Sequence, residues 1–479
     1  MMVPVRRAQT SGTLTAKLRF GVRLIDRFSR FSEDINPVHI NRLAARRSIY
    51  GERVSHGMLV VLWALACLRE GNPDISSVSR ITGNFRAPVR VGDLARLTLN
   101  RSALGWHAVV RCGSELCATF QFETCEREIV DQARLESTQQ TTRELVACRD
   151  RAEHELLQSC GQFCPMEFDP GELFKNLVGF DRVQCRMLAG LSRLVGMECP
   201  GLHSTLLGFD VELGPSTDPL GEIVYRAEKF DSRFKFLSLK LLGGVFGRVD
   251  CLVKPAPVAQ LSMVAIKKLV PADLFIGGHA LVVGGSRGIG EVIAKGFVAG
   301  GGRCTLTYAT GAADAGCVIG DINSYRSGLA NAICWNVEKG ASELKGQRYT
   351  HCFFLASPPI RKGKKRTMDG ALYRRYRQFY VAGLEATLRK FSRHSSQGSM
   401  FIFASSEYVE LAPQGFSEYA KAKYEGEQTG KRLGDTLGVA FHVWRLPRLH
   451  TDQTMSLAGE ETQNAGTVIA QFLKDLVCI

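Results

Sequence analysis

The sequence predicts a multidomain chain of mixed α+β and α/β class, on three observations. Residues 56–69, H-G-M-L-V-V-L-W-A-L-A-C-L-R, are apolar on every side, the pattern of a helix buried all round, and short strand-like segments follow it. The same order, a helix and then four strand-like segments, returns between residues 186 and 254. From Ala280 the pattern changes to apolar strand, glycine-rich turn and helix, which builds a parallel sheet covered by helices. The expected architecture is therefore a long helix wrapped by antiparallel strands, twice, and then a doubly wound parallel sheet.

The elements follow in order. Lys17–Ile25 is predicted as a strand and His56–Arg69 as the first buried helix; Ser79–Gly92, Leu94–Arg101, His107–Arg111 and Cys117–Thr124 are predicted to wrap it. A polar stretch poor in aromatics, within residues 131–158, reads as a solvated linker. Arg186–Met197 is the second helix, with strands at 204–212, 222–229, 235–240 and 247–254. The expected domains are 1–130, 159–270 and 271–479, the second a degenerate copy of the first.

Composition narrows the function. A length of 479 residues fits roughly three domains, and 45% apolar with 23% charged content is ordinary for a soluble chain. The 61 Lys+Arg exceed the 47 Asp+Glu, a net +14 spread along the chain, which favours anionic partners such as phosphorylated cofactors, coenzyme A thioesters or acidic carrier proteins. No finger, RNP-like or basic-zipper pattern supports nucleic acid. The fifteen cysteines are scattered apart from close pairs such as Cys112/Cys117 and Cys160/Cys164, with no C-x-x-C, so neither a metal site nor a disulfide framework is expected. No charged-then-apolar leader opens the sequence and no apolar run approaches eighteen residues, so a cytoplasmic location without a membrane span is expected.

Candidate chemistry begins at F-S-E-D-I-N-P-V-H, residues 31–39. Pro37 breaks the turn between Asp34 and His39, so a loop must present them. A carboxylate and an imidazole facing one water can divide general acid and base work, and Asn36 can hold the loop or the substrate. The same residues also suit a plain Asx-turn before Pro37. Downstream, Gly57 opens the buried helix, where its free N–H and the helix dipole suit an oxygen that gains charge. F-S-E-D-I-N-P-V-H-I-N followed by G-E-R-V-S-H-G-M-L resembles the signature of the MaoC-like (R)-specific enoyl-thioester hydratases, which have the hotdog fold. The resemblance implies that Asp34 and His39 activate water for addition to, or elimination from, C2 and C3 of an acyl thioester whose carbonyl Gly57 polarises. Glu33 departs from the glycine usual before the catalytic aspartate. The second segment offers only Glu198 and His203, which follow their helix instead of preceding it; its expected role is to accommodate the acyl chain or complete the fold.

Residues 280–290, A-L-V-V-G-G-S-R-G-I-G, form strand, glycine turn and helix start, so backbone can approach a pyrophosphate and the helix N-terminus can hold its charge. The stretch resembles T-G-x-x-x-G-x-G of the short-chain dehydrogenase/reductase family, with Val283 in place of threonine, which implies a Rossmann-type fold. Gly284, Ser286, Arg287, Gly288 and Gly290 are the candidate cofactor contacts. The second strand ends without an acid for a ribose diol while Arg287 offers a cation, which favours NADP(H) over NAD(H). In F-I-F-A-S-S through S-E-Y-A-K-A-K-Y, Tyr419 and Lys423 lie one helical turn apart, so the ammonium is expected to lower the phenol pKa from near 10. The resemblance makes Tyr419 the proton donor, Lys423 its partner and a cofactor contact, and Ser406, thirteen residues upstream of Tyr419, the carbonyl's hydrogen-bond donor, with Ser405 the neighbour that competes for that role. Pro447 and Thr451 in R-L-P-R-L-H-T-D match the loop around the nicotinamide amide. Two departures are F-L-A-S-P-P where N-N-A-G is usual, and Tyr380 at the place of the helix asparagine.

The two chemistries share an intermediate. The leading expectation is a bifunctional NADPH-dependent 3-oxoacyl-thioester reductase and (R)-3-hydroxyacyl-thioester dehydratase of fatty-acid or polyketide-like metabolism, acting on coenzyme A or carrier-protein thioesters as a homodimer or higher homo-oligomer. The alternatives are the reverse, degradative direction, a non-catalytic acyl-binding scaffold with a nucleotide sensor, and a reductase of another substrate such as a sugar nucleotide.

Overall fold

The computed structural model of the chain describes residues 3–7, 12–124, 147–213, 221–339, 344, 347–363, 367–455 and 461–478. They form two compact units, Met1–Ala256 and Pro257–Ile479. Residues 131–146 of the predicted linker lie outside the described residues.

The first unit is built on one antiparallel sheet of eleven strands. These are β1 (Val3–Arg7), β2 (Leu14–Arg19), β3 (Val78–Phe85), β4 (Leu94–Ser102), β5 (Gly105–Cys112), β6 (Glu115–Thr124), β7 (Cys160–Phe163), β8 (Ser204–Glu212), β9 (Ile223–Asp231), β10 (Phe236–Gly243) and β11 (Val245–Val253). Their order is β1-β2-β4-β5-β6-β3-β8-β11-β10-β9-β7. Two identical patterns meet at the β3/β8 pair: read outward from it, β3-β6-β5-β4-β2 matches β8-β11-β10-β9-β7. In each pattern a helix enters between the outermost strand and the innermost one, Gly57–Gly71 in the first and Arg182–Arg193 in the second. Met58 to Leu68 are buried without a break, which explains why that helix is apolar on all sides. Each large apolar side chain so buried contributes on the order of 1.5–3 kcal/mol. The second helix keeps a polar edge and ends in a π-helical turn, Leu194–Glu198. Both helices share one continuous core.

Two expectations near the N-terminus are corrected. The strand predicted over Lys17–Ile25 stops at Arg19, and Val22–Ser32 is an amphipathic helix that buries Ile25, Phe28, Ser29 and Ser32 on one side. The strand predicted to reach Gly92 stops at Phe85, before Pro88 removes a donor from the ladder.

The second unit holds six parallel strands: β12 (His279–Val283), β13 (Arg303–Tyr308), β14 (Ala330–Cys334), β15 (Tyr349–Phe354), β16 (Ser395–Ser406) and β17 (Ala440–Leu446). Their order, β14-β13-β12-β15-β16-β17, reverses direction between β12 and β15, the switch point at which doubly wound sheets open a crevice at their strand ends. Residues 257–270, grouped in sequence with the second segment, pack into this unit: Met263, Ile266 and Val270 share a core with Phe297 and Leu473. Among the described residues, no helix is long and apolar enough to cross a membrane.

Candidate functional site

The D-I-N-P-V-H segment links the helix Val22–Ser32 to a short helix, Pro37–Ile40. Glu33 closes the first helix in the left-handed region, φ 55°, which explains why a glycine would suit this position; an ion pair from its carboxylate to Arg193 holds the strained residue. The Asx-turn is present as well, since Asn36 N–H donates to Asp34 Oδ1 (3.2 Å) and Val38 N–H to Asn36 Oδ1 (3.1 Å). These bonds aim the remaining atoms inward, so the turn and the site are one device.

Asp34 is buried, and its Oδ2 lies 3.9 Å from His39 Nε2. His39 Nδ1 lies 2.9 Å from the Val54 carbonyl. A carbonyl only accepts, so Nδ1 carries the hydrogen and Nε2 presents a lone pair toward Asp34. A span of 3.9 Å is too long for a direct bond, but one water oxygen about 2.8 Å from both acceptors fits it. Burial raises the Asp34 pKa, against His39 and a hydrogen bond from Ser192, which lower it; burial also lowers that of His39, against the attraction of Asp34. His56, which caps the helix beginning at Gly57, stacks on His39 with ring centroids 3.7 Å apart, and its Nε2 donates to the Asp34 carbonyl oxygen at 3.1 Å. The stack fixes the His39 ring and places Gly57 one residue further on. No side chain caps that helix start.

The second segment reaches this site, which the sequence did not disclose. Ser192 Oγ donates to Asp34 Oδ2 at 2.7 Å. The Asn36 amide donates to the carbonyls of Gly196 (2.8 Å), Leu202 (3.2 Å) and Gly201 (3.3 Å). Gly196 abuts the carboxylate so closely that a Cβ there would lie 2.4 Å from Asp34 Oδ1. Lys254, just beyond β11, is buried with its ammonium 5.0 Å from the Tyr50 ring centroid, and the low-polarity surroundings push its pKa down to about 8. Glu198 and His203 do not face each other. Glu198 is ion-paired to Arg193 (3.2 Å) and Arg149 (3.2 Å), while His203 lies 3.7 Å from Asp150.

In the second unit the glycine turn joins β12 to the helix Gly288–Ala299, with Arg287 at its N-cap. Gly290 is required by contact: a Cβ there would lie 2.3 Å from the Gly284 carbonyl oxygen. Above Gly288 only Thr451 approaches, at 3.8 Å from an added Cβ, which brings the loop of Pro447 and Thr451 over the turn. Ser286 is buried in the turn. Arg287 lies 3.8 Å from the Asp452 carboxylate, so its charge is already partly balanced, which the sequence did not predict.

Tyr419 and Lys423 are both buried on the helix Ser417–Leu437. Ser406 at the end of β16 hydrogen-bonds Tyr419, whereas Ser405 donates to buried Glu427, so of the two serines Ser406 is the one beside the phenol. The expected depression of the Tyr419 pKa is corrected: burial raises it, the Ser406 bond opposes the rise, and Tyr376 and Tyr408 add to it. The reason lies in where the ammonium goes. Lys423 Nζ donates to the Ala404 carbonyl and sits 4.0 Å from the Tyr380 ring centroid, 4.8 Å from Phe403 and 5.8 Å from Tyr419. Burial in this aromatic box pulls the Lys423 pKa down to about 7. Tyr380 fills the box, and its hydroxyl meets Ser357 Oγ at 2.6 Å.

Comparison with known proteins bears on the first segment. Residues 7–126 match the MaoC like domain. Over 79 residues the chain is 33% identical to a 3-hydroxybutyryl-CoA dehydratase of Methylorubrum extorquens, spanning 16% of this chain and 50% of that protein. Over another 79-residue match it is 34% identical to an (R)-specific enoyl-CoA hydratase of Rhodospirillum rubrum, spanning 16% of this chain and 54% of that one. The chain thus spans about half the length of the curated relatives it matches. Among solved structures, a short-chain dehydrogenase from Burkholderia cenocepacia in complex with NADP aligns at 21% identity and TM-score 0.37, over 42% of this chain and 91% of that one. A dehydrogenase/reductase from Sinorhizobium meliloti aligns at 22% identity and TM-score 0.38, over 44% of this chain and 90% of that one. Residues 7–126, which contain Asp34, His39 and Gly57, therefore carry a MaoC-like domain.

Proposed function

We propose that the chain is a bifunctional enzyme, in which the first unit interconverts 2-enoyl and (R)-3-hydroxyacyl thioesters and the second reduces 3-oxoacyl thioesters with NADPH. The observation that carries the first activity is the Asp34/His39 pair, with two acceptors 3.9 Å apart and the imidazole tautomer fixed by Val54. Water held by both loses one proton to the pair as its oxygen bonds C3, and the pair returns one proton to C2; dehydration is the reverse. The Gly57 N–H, at the positive end of a fifteen-residue helix, stabilises charge on the thioester oxygen. An acyl-CoA substrate follows from the two coenzyme A relatives; an acyl carrier protein shares the same thioester chemistry.

On this reading the first unit is a double hotdog, with a catalytic domain 1–130, a linker 131–158 and a degenerate partner from 159 to 256, followed by the reductase from 257 onward. The repeated strand order about β3/β8 supports it. In the second unit the close-packed glycine turn suits a dinucleotide. Gly284, Ser286, Gly288 and Gly290 would cradle the pyrophosphate, Arg287 a 2′-phosphate, and Pro447, Thr451 and Lys423 the nicotinamide end. NADPH supplies the hydride when bound. Tyr419 donates the proton to the developing alkoxide while Ser406 orients the oxygen.

The test is mass spectrometry of the protein incubated with crotonyl-CoA alone, and with acetoacetyl-CoA plus each reduced nicotinamide. Gain of water by the first and NADPH-dependent reduction of the second are expected; failure of both would remove the proposal.

A further inference from the structure

Resting on the reading of Asp34 and His39 as the hydration pair, the geometry points to a role for the second segment that its lack of a D-x-N-P-x-H motif conceals. We infer that Ser192 and Lys254 are positioning residues of the hydration site, which hold Asp34 as a carboxylate so that it stands ready as a base when water arrives. Ser192 Oγ bonds the same oxygen, Oδ2, that faces His39, at 2.7 Å. Both serine and carboxylate are buried, so the hydroxyl has no competing water and gives its hydrogen to the charged form. Lys254 forms no ion pair within 4.0 Å among the described residues. Its ammonium is nonetheless buried against the Tyr50 ring and acts electrostatically on both Asp34 and His39. A buried cation without a carboxylate in contact is costly in a fold, and here the charge that offsets it is that of Asp34.

Among the described residues, the side chains that act on Asp34 come from five places. His39 comes from the helix Pro37–Ile40, His56 from the cap of the helix Gly57–Gly71, Ser192 from the helix Arg182–Arg193, Lys254 from the end of β11, and the Cys148 thiol from the segment before β7. His56 is kept neutral by burial, and burial raises the Cys148 pKa, so neither brings charge at neutral pH. Two groups from the second segment therefore stand against the burial that would protonate Asp34. The half without its own acid/base pair supplies electrostatic support to the half that has one.

The experiment is the pH profile of crotonyl-CoA hydration by the full-length protein, for the parent, Ser192→Ala, Lys254→Met, Lys254→Arg and Asp34→Asn, with thermal melts to verify folding. The hydroxyl and the ammonium favour the charged form of Asp34, so removing either lets the proton return at higher pH. Ser192→Ala and Lys254→Met should lose roughly tenfold more activity at the acid end than at the plateau. Lys254→Arg should restore the parent profile. The effect of Lys254→Met should be confined below about pH 8, where the parent lysine is charged. Folded Ser192→Ala and Lys254→Met variants with lowered plateaus and unmoved acid limbs would overturn the inference and leave both residues purely structural. Full activity of Asp34→Asn would instead overturn the assignment of the pair itself.

Discussion

The two candidate sites manage buried charge in opposite ways. Around Asp34 the charge is balanced by groups from distant chain segments: Ser192 is 158 residues away, and the Asn36 amide reaches carbonyls 160 to 166 residues away. Around Tyr419 the cation comes from the next helical turn and is enclosed by rings, with one carbonyl as its hydrogen-bond partner. A site of the first kind sets polar contacts against the burial that raises its acid's pKa, whereas one of the second kind holds its lysine near the edge of neutrality. The lesson is that a local motif fixes which residues meet, while their protonation is set by whatever the fold packs over them.

The sharpest way to break the comparison is to disable one site and read both. Asp34→Ala or His39→Ala should lower hydration by roughly two or more orders of magnitude and leave ketone reduction intact. Tyr419→Phe keeps the ring and removes the proton, so it should lower reduction by about two orders of magnitude with hydration unchanged. Loss of both activities in either variant would show that the sites are not independent.

The next effect concerns Lys423. Its pKa is about 7 in the fold and 10.5 in the unfolded chain, so the unfolded state binds more protons between those values and stability rises with pH across that window. The cost of burying the charge is fully present below pH 7 and vanishes toward 10.5. Lys423→Met should therefore be more stable than the parent at pH 6, by on the order of 2–3 kcal/mol, with the advantage shrinking as pH approaches 10 in denaturant titrations. A constant difference across that range would mean that the lysine is not held near neutrality.

Asn36→Ala removes an amide that donates to the Gly196, Gly201 and Leu202 carbonyls, of which Gly196 keeps the Cys148 thiol and Gly201 the Ser204 N–H, and should cost about 1–3 kcal/mol in the same titrations. No loss of stability would show that the clasp between the segments is dispensable. The smallest effect is at Arg287. Its pairing with Asp452 weakens its grip on a phosphate, so Arg287→Ala should narrow the preference for NADPH over NADH by about tenfold or less. Equal binding of the two nicotinamides by the parent protein would remove the basis for that preference.

Much of this architecture was legible in the sequence, and the gaps have physical causes. The helix at 57–71 was visible because burial on all sides leaves no polar stripe, and the strands from 94 onward because alternation records a half-buried sheet. Lys17–Ile25 misled because only two residues separate the strand Leu14–Arg19 from an amphipathic helix, with no side-chain cap to mark the helix start. Asp34 with His39, and Tyr419 with Lys423, were legible because each pair lies within one turn or loop. Ser192, Gly196 and Lys254 were not, because nothing in a serine, a glycine or a lysine announces a partner more than 150 residues away. The direction of the Tyr419 shift was misjudged because spacing shows that Lys423 is near, not that the fold buries the phenol and turns the ammonium to the Ala404 carbonyl.

The central claim, two activities sharing one intermediate in one chain, is tested most directly by mass spectrometry of acetoacetyl-CoA incubated with NADPH and the parent protein, Asp34→Ala or Tyr419→Phe. The account predicts 3-hydroxybutyryl-CoA together with crotonyl-CoA for the parent, 3-hydroxybutyryl-CoA alone for Asp34→Ala, and unreacted acetoacetyl-CoA for Tyr419→Phe. Crotonyl-CoA formed at the parent rate by Asp34→Ala, or undiminished reduction by Tyr419→Phe, would contradict it.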